Sequence, residues 1–221
     1  GEVRFNTQAT GFIIDDGQIT GVKIKGGEII ETEHVIVAIG HSARDTFYEL
    51  YESGVHFTAK PFAVGVRVEH PQSLIDVAQY KEFAGHEKLG AAEYRLTHTA
   101  SNGRGVSTFC MCPGGVVVAA ASEENRLVSN GMSYHARDLE NANSALVVTV
   151  GPEDFEGSDV LRGMEFQRHY ESLAYKLGGS NYNAPVQLLG DFLNDRKSTK
   201  LGSVNPSYKP GYELVDMRGC L

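Results

Sequence analysis

Val35-Ile36-Val37-Ala38-Ile39-Gly40-His41-Ser42-Ala43-Arg44-Asp45 is the stretch on which the reading of the fold turns. Five consecutive apolar residues, with no polar member on either face, have the pattern of a strand covered on both sides, as in a parallel sheet. Gly40 ends the run. Ser42, with Asp45 three residues on, makes a capping-box pattern, and Ala43, Phe47, Leu50, Tyr51 and Gly54 follow at helical spacing. Residues 33–53 therefore predict strand, glycine turn and helix. A helix N-terminus behind a glycine suits a phosphate or ribose edge. However, Gly40-His41-Ser42 lacks the further glycines of a dinucleotide fingerprint, and such turns occur throughout α/β proteins.

Upstream the chain reads as β. Phe12-Ile13-Ile14 lead into Asp15-Asp16-Gly17, a hairpin signal. Ile19, Val22 and Ile24 come next, then a second turn at Lys25-Gly26-Gly27 and a short strand over 28–31. Downstream, Phe62, Val64, Val66 and Val68 alternate as in a half-buried strand, and Pro71 opens a short helix bearing Leu74, Val77 and Ala78. Residues 81–92 carry little period. Further strands are expected near 94–99, 105–110, 116–120 and 145–150. The longest helix is expected from Ser158 or Asp159 to Leu177. Its stripe is Leu161, Met164, Phe166, Tyr170, Leu173, Ala174 and Leu177, with Gly178-Gly179 as its stop. A shorter helix is expected over 186–193, and the last 25 residues read as extended rather than packed. The fold class is α+β. The expected division is 1–57 as one part (meander, strand, helix) and 58–221 as a β-rich second domain with helices on one side.

Composition narrows the functions. Of 221 residues, 41% are hydrophobic and 22% charged, with a formal net charge of −8, so a basic nucleic-acid surface is not expected. The longest apolar run, Val116 to Ala121, is strand-sized, far from the roughly 20 residues of a membrane helix. No membrane partner is expected. Three cysteines make no even disulfide framework, which suggests a reducing, cytoplasmic compartment. The chain starts Gly1-Glu2-Val3-Arg4-Phe5 as though a strand were under way, and stops at Gly219-Cys220-Leu221. We read it as a piece of a longer protein, a natural chain with a processed N-terminus being the alternative.

Few residues carry chemistry on their own. Phe109-Cys110-Met111-Cys112-Pro113-Gly114-Gly115 places two thiols at i and i+2, but metal and redox pairs favour Cys-x-x-Cys, and no second Cys/His cluster completes a zinc set. On a strand both thiols would share one face. Gly114 and Gly115 would let a flat ligand lie against the backbone. Asn130-Gly131-Met132-Ser133-Tyr134-His135-Ala136-Arg137, followed by Asn141 and Asn143, reads as a polar loop, either solvated or in contact with a ligand. The eight histidines are scattered. No Gly-x-Ser-x-Gly elbow surrounds a serine, and no compact carboxylate pair stands out.

The stretch from Thr32 to Ser42 resembles the second flavin-contacting motif of FAD-dependent oxidoreductases of the glutathione-reductase fold, where a β-meander feeds a strand ending Ala-Thr-Gly. Here it reads Ala38-Ile39-Gly40, so the hydroxyl is missing while the turn is kept. Lys60-Pro61-Phe62-Ala63-Val64-Gly65-Val66-Arg67-Val68-Glu69-His70-Pro71, the Phe109–Gly115 stretch and Ser129-Asn130-Gly131-Met132-Ser133 look like the bacterial group of uncharacterised FAD-dependent dehydrogenases. The resemblance spans nearly the whole chain. Two features of such proteins are missing from this sequence: the N-terminal Gly-x-Gly-x-x-Gly unit and the C-terminal glycine-rich segment that closes over the flavin.

The resemblance implies the meander plus substrate domain of a flavoprotein, inactive alone and not retaining FAD alone. The partners it implies are the missing FAD-binding portion of the same chain and an unknown small-molecule substrate. It places Gly40, His41 and Ser42 on the flavin side, and Cys112, Pro113, Gly114, Gly115, Asn130 and Met132 in the pocket. Arg67 becomes a partner for an acidic substrate or, alternatively, an outward strand residue beside Glu69. Two further readings stand beside this one: a self-standing ligand- or protein-binding domain without redox activity, and a thiol-dependent redox or metal protein built on Cys110 and Cys112.

Overall fold

A computed structural model describes residues 1–221. The fold is α+β, built from small, mostly antiparallel sheets. The chain forms two compact units, 1–59 with 157–164, and 60–156 with 165–221.

In the first unit, β1 (Ala9–Asp15), β2 (Gln18–Ile24) and β3 (Ile29–Glu31) form an antiparallel meander in chain order. The hairpin signal acts as its chemistry requires. Asp16 and Gly17 sit at φ 48° and 77°, the two left-handed centres of the turn that matches strand twist. Phe12 and Ile24 are buried. Helix α1 (Arg44–Glu52) carries buried Leu50, and Phe47 and Tyr51 meet the ring of Phe57 edge-on at 6.4 and 6.0 Å.

Two expectations fail here. Residues 35–39 form no ladder. Ile36 is 94% exposed and Val37 is exposed, because an apolar run becomes a covered strand only where neighbouring strands pair with it, and no strand of this chain does. The helix is also not capped by Ser42. Its N-cap is Ala43 with no side-chain cap, and the Asp45 carboxylate accepts from the adjacent Thr46 N–H at 2.9 Å.

In the second unit a four-stranded antiparallel sheet runs β4-β9-β6-β5, formed by β4 (Phe62–Pro71), β9 (Asn141–Val150), β6 (Gly105–Cys112) and β5 (Thr97–Thr99). β4 and β9 pair without a slip from Phe62↔Val150 to Pro71↔Asn141. At Gly65 a side chain would collide with the Leu146 carbonyl, so glycine is what lets the two strands close. The first residue of β4 meets α3 (Arg162–Leu177): the Phe62 ring stacks on Phe155 at 5.0 Å, and Phe166 of the helix contacts both. Such aromatic pairs contribute about 0.5–1.5 kcal/mol each beyond the area they bury. The helix starts at Arg162 rather than at 158 or 159.

Helix α2 (Gln72–Tyr80) follows Pro71 directly, as expected. Its inward residue is Gln72, while Leu74 and Val77 are exposed. β7 (Gly115–Ala119) pairs with β8 (Ser129–Ser133). The Asn130-Gly131 stretch therefore lies inside a strand and is not the polar loop expected. Toward the C-terminus, β10 (Ala184–Val186) and α4 (Leu189–Leu193) replace the single helix expected over 186–193. β11 (Tyr212–Leu214) pairs in parallel with β10. Tyr208, Val215 and Cys220 are buried, so the tail is packed, not merely extended. No helix is long and apolar enough to cross a membrane.

Candidate functional site

The site grows out of a defect in β6. Pairing with β9 is regular to Phe109↔Ala145, then slips, and resumes at Cys112↔Asn143. The bulge holds Cys110 at φ 49°, and bulges re-aim side chains. Cys110 ends up exposed and Cys112 buried, which is not the equivalent placement on one strand face expected from the sequence. The Cys112 thiol donates to the Cys110 carbonyl at 3.3 Å. Burial pushes the Cys112 thiol up, nearby Cys110 adds to the rise, and the Arg67 charge opposes it. It therefore rests as a thiol rather than a thiolate.

Beyond the bulge the chain turns at Pro113-Gly114-Gly115. The Gly114 N–H donates to the Gln72 Oε1 at 2.8 Å, and the Pro113 carbonyl accepts from the Ser133 hydroxyl at 2.7 Å. A side chain on Gly114 would collide with the Arg137 carbonyl, and one on Gly115 with the Met132 carbonyl. On the side where a side chain would stand, the close approach these glycines permit is to the chain's own backbone.

Arg67 lies across this turn. Gly65, Arg67 and Glu69 share one face of β4, opposite Val147, Ala145 and Asn143 of β9, with Ser107, Phe109 and Cys112 of β6 beyond. Arg67 Nη1 donates to Asn143 Oδ1 at 2.7 Å and to the Cys110 carbonyl at 3.2 Å, and Nη2 donates to Asn130 Oδ1 at 3.4 Å. All three acceptors are neutral. Glu69, two residues along the same face, is engaged elsewhere: it accepts from the Ser207 N–H at 3.1 and 3.2 Å and from Asn141 Nδ2 at 2.9 Å. The guanidinium is held without being neutralised.

Asn143 is the residue that sequence reasoning passed over. It was visible only as part of a polar stretch, yet it is wholly buried. One end of its amide holds Arg67, while Nδ2 has no partner. Leaving such a donor unpaired costs about 1–3 kcal/mol, which the fold tolerates at this spot. Gly131 of β8 lies directly over the pair. A side chain there would collide with Arg67 Nη1 and Asn143 Oδ1, and would reach Cys112 Sγ at 2.8 Å. The only signal for Asn143 in the sequence was an amide between Ala142 and Ser144, just ahead of the strand expected near 145–150.

The structure thus gathers Arg67, Cys112 and Asn130 into one cluster, with Pro113, Gly114 and Gly115 as the adjoining turn. Met132, the next residue along β8 from Gly131, stays exposed. On the other face of the sheet His70 and Tyr94 share a hydrogen bond of 2.9 Å. Burial raises the Tyr94 phenol, with Ser144 and Arg67 opposing.

In the first unit Gly40 sits at φ 66° with open space where a side chain would stand. His41 is exposed, and its Nδ1 lies 3.4 Å from the Ser42 hydroxyl. The backbone N–H groups that open α1 are largely used: Arg44 donates to the Ser42 carbonyl, Phe47 to the Ala43 carbonyl, and Thr46 to Ala43 and Asp45. This turn fits contact with the edge of a nucleotide cofactor. It does not form a pyrophosphate cradle, which needs several free N–H groups in a row.

Residues 61–221 match the family model described as FAD-dependent protein, C-terminal domain-like. The chain belongs to this family. A relative in Clostridium beijerinckii (strain ATCC 51743 / NCIMB 8052), described as an uncharacterized protein, is 63% identical over 222 residues. The match covers 100% of this chain and 42% of that relative, so the chain spans less than half the relative's length. The family match takes in the whole Arg67 cluster of the FAD-dependent domain. The Gly40 turn lies upstream of it.

Proposed function

We propose that this chain is the substrate-binding portion of an FAD-dependent oxidoreductase. In this reading 58–221 is the substrate domain, and 1–57 belongs to the FAD-binding part, with Gly40, His41 and Ser42 touching the cofactor. The rest of the FAD site comes from the remainder of the parent chain, and the setting is cytoplasmic. FAD, when bound, supplies the hydride chemistry. The residues of this chain bind and orient a small molecule and keep water from it.

The observation that carries the reading is the open sheet face around Arg67: a cation fixed by neutral acceptors, beside the exposed ring of Phe109. A cation left unneutralised on a rigid sheet is poised for a ligand rather than for the fold. Cys112, Asn130 and the Pro113-Gly114-Gly115 turn set the wall of that site.

The test is purification of the full-length parent protein. A yellow protein with flavin bound in stoichiometric amount is expected. A colourless protein that takes up no added FAD would overturn the reading.

A further inference from the structure

We infer that the ligand of the Arg67 face is a small organic carboxylate with a flat apolar body. This deepens the reading above and rests on it for the word substrate, though not for the binding itself. A guanidinium has five N–H donors. Three are engaged by oxygen acceptors, two on Nη1 and one on Nη2, and the Cys112 thiol also lies against the group. The remaining two are on Nε and Nη2, adjacent nitrogens along one edge of the fork. A planar carboxylate accepts two parallel N–H bonds from such an edge, which a rounder anion or a hydroxyl matches less well.

The surroundings select for the body of the ligand. Phe109 and Ala145 sit opposite each other across the two strands, with Arg67 the partner of Ala145 on the third. Phe109 is 69% exposed, large for an aromatic residue in mid-sheet. Gly65, two residues from Arg67 on the same face, adds no side chain. The result is a low apolar floor with a fixed cation at its edge. Asn143 acts as a positioning residue: it touches Arg67 and not the ligand, and from its buried position it holds Nη1 so that the Nε edge is left free.

The probe is benzoate, titrated calorimetrically into the full-length protein, with benzyl alcohol and inorganic phosphate as comparisons. Benzoate is expected to bind saturably, benzyl alcohol not to compete, and phosphate to bind more weakly. Arg67→Met should weaken benzoate about tenfold or more, as loss of a two-bond charged contact implies. Arg67→Lys keeps the charge without the fork and should recover only part. It also serves as the reporter should the methionine variant fold poorly.

Equal benzoate affinity in wild type and Arg67→Met, full recovery by lysine, or phosphate binding as tightly as benzoate would each overturn the inference. Calorimetry reads the site whether or not flavin is present. A colourless protein that binds benzoate through Arg67 removes the oxidoreductase reading alone, and a yellow protein indifferent to benzoate removes this one alone.

Discussion

The carboxamide oxygen of Asn143 accepts a hydrogen bond from Arg67 Nη1 at 2.7 Å, while the nitrogen of the same buried amide has no partner. The arrangement aims a cation without cancelling it. Asn143→Asp keeps the shape, removes the orphan N–H and sets an anion against the guanidinium. Pairing a buried carboxylate with a half-buried guanidinium is close to neutral for stability. The expected outcome is a melting temperature within a few degrees of wild type, together with about tenfold weaker benzoate binding by calorimetry.

Gly131 and Gly65 are held by contact rather than by backbone angle. Gly131→Ala drives a methyl group into Asn143 Oδ1 and Arg67 Nη1, and Gly65→Ala drives one into the Leu146 carbonyl. Overpacking of this kind costs about 1–3 kcal/mol. Gly65→Ala should cost more, because backbone in the middle of a ladder yields less than the end of an arginine side chain. Denaturant midpoints of the two variants check the order.

The three cysteines should separate by reactivity. Cys110 is exposed, whereas Cys112 and Cys220 are buried and their thiols are raised by burial. A thiol reagent that reacts with thiolates should modify one cysteine quickly in the folded protein, and all three in denaturant. Cys110→Ser should remove the fast phase. Persistence of that phase would show Cys112 or Cys220 to be accessible.

Asp154 reports on acid stability. The Arg104 guanidinium, with help from the Gly151 N–H, holds its carboxyl down at about 2, against an ordinary 3.8. The folded state therefore binds its proton less readily than the unfolded chain does. The stability this group contributes is present above pH 3.8 and is lost as pH falls toward 2. Carboxyl titration by NMR should place the Asp154 midpoint near 2, and Asp154→Asn should flatten the acid limb of the stability profile across that window.

Much of the fold was legible because its causes are local. Asp16-Gly17 dictates a tight hairpin wherever it stands between apolar runs, and the alternation from Phe62 to Val68 suits only a strand with one wet face. The stripe from Phe166 to Leu177 likewise needs no knowledge of its partner to predict a helix. The site was legible only in part. Arg67, Cys112 and Asn130 were visible as individual candidates, but nothing local says that they meet. Asn130-Gly131 reads as a turn because that dipeptide favours one. It is a strand here because β7 pairs with it and because Arg67 and Asn143 leave room for nothing larger than glycine.

The hairpins, the Gly40 turn, the long amphipathic helix and the α+β class could be read from local pattern alone, since each follows from backbone preference and side-chain period over a few residues. Which runs found partners was settled by packing between distant segments. Residues 35–39 have every local property of a buried strand, yet none of them is buried and 36–38 lie exposed, whereas the glycine- and proline-rich tail buries Tyr208 and Val215. Only tertiary contact, too, decided the charge on the sheet. Glu69 stands two residues from Arg67 in the chain, but its carboxylate goes to the backbone of Ser207, 138 positions away, and Arg67 is left to neutral acceptors. Hydrogen bonds between distant segments are set by packing, and no local pattern encodes them.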